Sequence, residues 1–320
     1  MLMTLRAAAA GLAVAAGLAV GAHAAEPAAY PHRVVTLVTH SSPGGGSDVF
    51  LREMIRFLQR YVSATFVVEN VQGGSGARAM ARVASAKPDG SVLYATTPTY
   101  VFTSLMSKPQ STFRDLEPLV NLFTDAEVVF TRADGPFQTL GDAVAHAKAR
   151  RGRWGAANPA SLERQAAELL KRAAGVNAAV VSHEGGGDMM INVLNGTLEI
   201  GVGEIPELRS QLEAGKVRLL ATFNAERLPT HPEVPSVKEL GYDVVLKKFR
   251  GLAGPKGLPI EIVAVWEKAV PALLADPDYQ RLYAASSLVA DFIPHREYGP
   301  FIDGFATSSE AFFREAGMLK

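Results

Sequence analysis

From Arg33 onward, short β-branched runs alternate with stretches in which apolar residues recur every three or four positions. "RVVTLVT" is one such run. "DVFLREMIRFLQRYV" follows it, with Phe50, Met54, Phe57, Leu58 and Tyr61 on one helical face. "ATFVVENV" reads as a strand, "ARAMARVASA" as a helix, Lys87-Pro88-Asp89-Gly90 as a turn and "SVLYATT" as the next strand. The grammar repeats with "AEVVFTR", "TLGDAVAHAKARR" and "GRWGAA". Asn158-Pro159 then predicts an N-cap and a first-turn proline for the helix "PASLERQAAELLKRAAG". "AAVVSH", "DMMINVLNG", "TLEIGVGE", "IPELRSQLEAG" and "KVRLLATF" continue the alternation. "FRGLAGPKGLP" reads as a connecting segment, and the tail from Pro259 as mostly helical. Strands that are apolar on both faces, spaced by helices, predict an α/β fold with mostly parallel sheets.

Glycines break this pattern at chosen places. "PGGGSD" follows the first strand, "QGGSGA" the second and "EGGGDM" a strand of the middle region, each just ahead of a helix. In open α/β sheets ligands sit beyond the carboxyl ends of the strands, where helix N-termini offer unpaired N–H groups. One bare helix end contributes only about 0.3–1 kcal/mol. Micromolar binding needs about 8 kcal/mol, so several donors must converge on one anion. Three such loops, meeting from two sheets, predict a cradle for negative charge.

Composition narrows the classes. The chain has 320 residues, 48% of them hydrophobic, enough for two domains with proper cores. Lys+Arg and Asp+Glu are 32 each, so no bulk field draws nucleic acid. Zero cysteines exclude disulfides, thiolate metal sites and a Cys nucleophile. At the start, Arg6 precedes the short apolar run "AAAAGLAVAAGLAV" and then Ala22-His23-Ala24. That order predicts a signal peptide, residues 1–24, cleaved after Ala24, and a periplasmic protein.

Enzymatic signatures are thin. "GSGARA" matches the dinucleotide fingerprint, but the next strand ends in threonines where a ribose-binding acid belongs. "GGSGA" and "GGSDV" miss the nucleophile elbow at the last glycine, and no His pair has i,i+4 spacing for zinc. No catalytic residue, metal or cofactor is assigned. His40 and His183, at predicted strand ends, read either as polar rim residues or as ligand contacts. Asp48 reads as a helix-terminal acid, whose charge opposes an anion at the same end. Arg250 reads either as a solvated loop cation or as a fork for a carboxylate.

Taken in order, "YPHRVVTLVTHSSPGGGSD", "VVENVQGGSGARAMARVASAKPDG", "ATTPTY" and "GLAGPKGLP" resemble the Bug-type extracytoplasmic solute receptors. These are the substrate-binding subunits of tripartite tricarboxylate transporters, and the resemblance spans essentially the whole mature chain. It implies a type II periplasmic-binding-protein fold: two lobes, a ligand cleft between them, and docking on integral-membrane permease subunits. It also implies a small carboxylate ligand, a di- or tricarboxylate or an aromatic acid. The expected segments are 25–126 and 253–320 for the first lobe and 127–252 for the second, in a monomer.

Carried onto this chain, the first-lobe contacts are Ser41, Ser42, Gly45, Gly46, Ser47, Asp48, Thr96, Thr97 and Thr99. From the second lobe and the crossing come Ala157, Asn158, Ser161, His183, Gly186, Gly187, Glu204 and Arg250. Where many members carry hydroxyls in the second lobe, this chain has Ala156-Ala157-Asn158-Pro159-Ala160. That departure predicts a less polar far wall. The alternatives from other classes are an exported esterase or amidase, and a ligand sensor docking on a histidine kinase.

Overall fold

The first of two mixed sheets has six strands, in the spatial order β11-β4-β10-β3-β1-β2. They are β1 (Ala28–Thr39), β2 (Val62–Asn70), β3 (Val92–Thr96), β4 (Leu116–Asp125), β10 (Lys248–Pro255) and β11 (Val289–Ile293). The second has five, ordered β7-β6-β8-β5-β9. They are β5 (Glu127–Arg132), β6 (Arg153–Ala156), β7 (Ala179–Ser182), β8 (Ile200–Glu204) and β9 (Val217–Thr222). The computed structural model describes residues 27–315 and 317–319, so the segment read as a signal peptide lies outside the described residues.

Helices cover both faces of each sheet. Around the first pack α1 (Gly46–Leu58), α2 (Ala77–Ala84), α3 (Pro98–Ser107), α8 (Ile260–Leu274), α9 (Pro277–Ala285) and α10 (His295–Glu315). Around the second pack α4 (Leu140–Ala149), α5 (Leu162–Ala174), α6 (Gly186–Leu194) and α7 (Ile205–Glu213). Period-two alternation sends Leu93, Ala95 and Leu252 to one core with Trp266 of α8. Tyr94 and Ala253 go to the opposite core with Tyr298 of α10. In the second sheet Val129 and Val202 meet α4 and α5, while Val128 and Phe130 meet α6 and α7. Among the described residues no helix is long and apolar enough to cross a membrane.

The sheets are mixed rather than mostly parallel. β1 runs parallel to β2 and β3, and β6 parallel to β7 and β8. The strands next to the crossings reverse this: β10 is antiparallel to β3 and β4, and β5 to β8 and β9. The chain leaves the first sheet at Asp125, starts the second at Glu127 and re-enters the first at Lys248, earlier than the expected 253.

That re-entry corrects the reading of "FRGLAGPKGLP" as a connection. Most of it is β10, buried along its whole length between β3 and β4. Its glycines mark close approach rather than a turn: a side chain at Gly251 would strike the Tyr298 hydroxyl and the Val120 carbonyl. The tail likewise contains a strand, β11, which pairs with β4. At the middle helix Ser161, not Asn158, is the N-cap of α5: its hydroxyl accepts from the Arg164 amide at 3.1 Å. Leu252→Ala tests the central position of β10. Truncating this fully buried side chain is expected to lower stability by about 2–5 kcal/mol in urea unfolding; an unchanged midpoint contradicts the placement.

Candidate functional site

Two glycine loops, one from each lobe, press against each other. Gly45 N-caps α1 and Gly185 N-caps α6, neither with a side-chain cap. A side chain added at Gly187 would run into the Pro43 carbonyl, and one at Gly185 into Ser42. At Gly45 it would meet the Ser41 hydroxyl and, at 3.3 Å, the Gly186 nitrogen. Glycine is required here because backbone meets backbone across the lobes. The third loop, Gly73–Gly76, packs inside the first lobe instead. Gly76 lies against His40 and Tyr94, and the Ser75 carbonyl accepts from Thr103. Two of the three expected loops therefore meet.

The α1 end already holds a carboxyl group, and it is the protein's own. The Gly46 amide donates to Glu207 Oε2 at 2.9 Å. Beneath this contact lies a buried cluster of Asp125, Glu127, Glu163, Glu204 and Glu207 with Lys248 and Arg250, none more than 4% exposed. The Lys248 ammonium donates to Glu163 at 2.8 Å, Glu127 at 3.1 Å and Glu204. Arg250 donates to Asp125 through Nε at 2.6 Å and to the Ser47 hydroxyl at 3.2 Å, and stands 3.4 Å from Glu204. Register explains the assembly. Lys248 pairs with Asp125 across β10 and β4, and period two puts Lys248 with Arg250, and Asp125 with Glu127, at the crossing.

Electrostatics divide the carboxyls. Burial raises Glu127 well above the usual range, more than Lys248 lowers it. Burial, then Glu163, pushes Glu207 up to about 8, so it is neutral at pH 7. Burial works against an ionised Glu163 too, but Lys248 wins there and holds it below the ordinary value. Burial opposes the Lys248 charge, yet Glu127 and Glu163 keep it raised. His40, 3.2 Å from the Tyr94 hydroxyl, is lowered by burial and then by Lys248 to about 4, and is neutral.

Of the residues expected in the site, Ser42, Gly45, Gly46, Ser47, Gly186, Gly187, Glu204 and Arg250 come together where the lobes meet. Ser41, Thr97, Thr99, Ala157, Asn158 and Ser161 are buried at strand ends and helix starts beside them. Asp48 turns back into its own lobe, accepting from the Gly44 amide, Arg52 and Asn70. Its charge therefore does not face the α1 end, which resolves the expected conflict with an anion. The Thr96 hydroxyl is bound to Tyr298, and half-buried His183 lies 3.3 Å from the Ala156 carbonyl.

Sequence reading missed Lys248, Asp125, Glu127, Glu163 and Glu207. The available signal was charge at i,i+2 within apolar strand text, "TDAEVVF" and "KKFRGL". The second-lobe wall is acidic, not the less polar surface expected from its missing hydroxyls. Oxygens of Glu127, Glu163 and Glu204 lie within 4.8 Å of one another, a spacing that suits a cation, and the Lys248 ammonium sits on all three.

Two α/β lobes joined by two crossings, with helix N-termini facing across the junction, define a periplasmic-binding-protein fold. Solved structures agree. The periplasmic binding protein BugD superposes with a TM-score of 0.85 at 23% identity, covering 91% of this chain and all of that one. A Rhodopseudomonas palustris protein solved with adipate gives 0.83 at 22%, covering 90% and 98%. By sequence, a protein of the gbd 5' region of Cupriavidus necator is 27% identical over 294 residues, 91% of this chain and 90% of the relative. The model of the tripartite tricarboxylate transporter family receptor matches residues 50–316. The chain belongs to that family.

Glu207 gives the site a pH signature. Its carboxyl titrates near the ordinary 4.5 when unfolded and near 8 when folded. Between those values unfolding releases a proton, so this contribution to stability falls as pH rises and levels off above about 8. Glu207→Gln keeps an acceptor for the Gly46 amide but cannot titrate. Thermal melts across pH 4.5–8.5 are expected to fall less steeply for the variant than for the parent; parallel profiles contradict the assignment.

Proposed function

We propose that this chain is an exported, periplasmic solute receptor that captures a small carboxylate between its lobes by hinge closure. It then delivers the solute to the integral-membrane permease subunits of a tripartite tricarboxylate-type transporter. One observation carries the reading: the main-chain donor at the α1 N-terminus faces the other lobe and already bonds a carboxyl oxygen, that of Glu207. A ligand carboxylate takes the same place when the lobes part and Glu207 withdraws. Arg250 and the hydroxyls of Ser42 and Ser47 stand beside it, Thr97 follows β3 where that strand pairs with β10, and the hydroxyls of Ser42 and Thr97 have no partner among the described residues. Family membership supports the receptor role, and the adipate-bound relative supports the ligand class.

The lobes are closed as described. Phe102 and Phe313 of the first lobe pack with Ala160 and Leu162 of the second, and Arg209 of α7 pairs with Glu53 of α1. Opening breaks these contacts and bends only the two crossings. Gly187→Ala addresses closure directly. The added methyl is acceptable in a helix but meets Pro43 only when the lobes shut. The variant is expected to fold normally by circular dichroism. It should lose at least roughly tenfold in affinity for whichever carboxylate shifts the parent's melting temperature, as closure contacts are lost, and show an expanded shape in small-angle scattering. Undiminished affinity places the ligand elsewhere, and ligand recovered chemically altered by mass spectrometry replaces the receptor reading with an enzymatic one.

A further inference from the structure

We propose that the solute held at this site carries a protonated nitrogen and at most one carboxylate, the nitrogen seated against Glu163 and the Asn158 side-chain carbonyl. This rests on the inter-lobe reading above and names the chemical class the site accepts. The charge count comes first. With Glu127 and Glu207 held neutral by burial, the three carboxyl groups of Asp125, Glu163 and Glu204 still outnumber the two cations, Lys248 and Arg250, between the lobes, and all of them are buried. An anionic ligand joining this cluster at both ends adds negative charge to a wall that already has an excess, whereas an ammonium at one end reduces that excess.

The unused hydrogen-bonding capacity says the same. Lys248 takes one oxygen each of Glu127 and Glu163; their second oxygens, both Oε2, are buried with no partner. The Asn158 side-chain carbonyl, in the loop before α5, is also buried and unpartnered. Buried polar atoms left unpaired are uncommon and costly. The ionised Glu163 carboxylate and the Asn158 amide carbonyl only accept, so the group that satisfies them must donate; the Glu127 carboxyl, which burial keeps protonated, can donate as well as accept. The first-lobe wall differs: it offers Arg250 and the α1 amides, which only donate, and the unpartnered Ser42 and Thr97 hydroxyls, which are able to donate. Donors on one wall and acceptors on the other fit a ligand with a carboxylate at one end and an ammonium at the other. A dicarboxylate that displaced Glu207 would present its second carboxylate to Glu163 and Glu204.

A charge series on one carbon frame tests this. Mature protein is titrated calorimetrically with butanedioate, 4-aminobutanoate and 1,4-diaminobutane, and with the same trio on frames of about three to six carbons. The best amine-bearing compound is expected to bind at least roughly tenfold more tightly than the dicarboxylate of equal length. Glu163→Gln should abolish that preference; if Glu163 only braces the hinge, the variant lowers the ligand-free melting temperature and leaves the preference intact, which overturns the proposal. A dicarboxylate that binds as tightly as its amine counterpart, or an absence of amine binding, also overturns it. Gly187→Ala separates the two readings. If dicarboxylate binding is preferred and is lost in that variant, the inter-lobe site stands and the charge inference falls. If binding of either class survives the variant undiminished, both fall.

Discussion

Lys248 and Arg250, two residues apart on one strand, hold the molecule's most demanding interaction. Each is fully or nearly fully buried; Lys248 is held by Glu127, Glu163 and Glu204 of the second lobe, and Arg250 by Asp125 of the first sheet and Glu204 of the second. Taking such charges out of water costs several kcal/mol per ion, and the cost is offset only when all partners are in place. The crossing between lobes is thus fixed electrostatically, at the two points where the chain passes from one sheet to the other. Losing one partner strands a buried charge, a change that typically costs about 3–5 kcal/mol. The helices and loops that form the junction are positioned around this cluster.

The glycine loops depend on the same arrangement. Gly46 can approach Glu204 and Arg250 because it lacks a side chain, and its amide can then reach Glu207. The protein therefore supplies its own occupant for the anion seat. A ligand's measured affinity is a difference: its contacts with the seat minus those Glu207 gives up. Because Glu207 is neutral at pH 7, withdrawing it does not require moving a charge through the interface. That makes exchange easier than the ionised form would allow.

Most of the alternation along the chain was legible, since period-two and period-3.6 apolar spacing reports burial directly. The glycine loops were legible as sites of close approach, and the two that meet were among those named. Three features were not. β10 looked like a linker because Gly251 and Gly254, needed for packing, carry the same letters as turn glycines. Asp48 looked like a possible ligand contact because nothing in the local text shows Arg52 and Asn70 drawing it inward. The acidic cluster was invisible because its members are far apart in sequence: Asp125 and Glu127, Glu163, Glu204 and Glu207, and Lys248 with Arg250. The register of β10 against β4 and of β5 against β8, with the starts of α5 and α7, brings them together.

The position of β10 has a further bearing on how the chain assembles as it emerges N-terminus first. β4 pairs with β10 and β11 and with no earlier strand. Until residue 248 is available, its buried residues Leu119, Val120, Leu122 and Phe123 have no sheet to join. The second lobe is continuous in sequence from β5 to β9 and has no such wait. It is able to fold first, while the earlier half of the first lobe stays open with an apolar edge exposed. Long-range strand pairing of this kind is slow and prone to association, so the emerging chain carries that exposed edge until roughly its last quarter arrives.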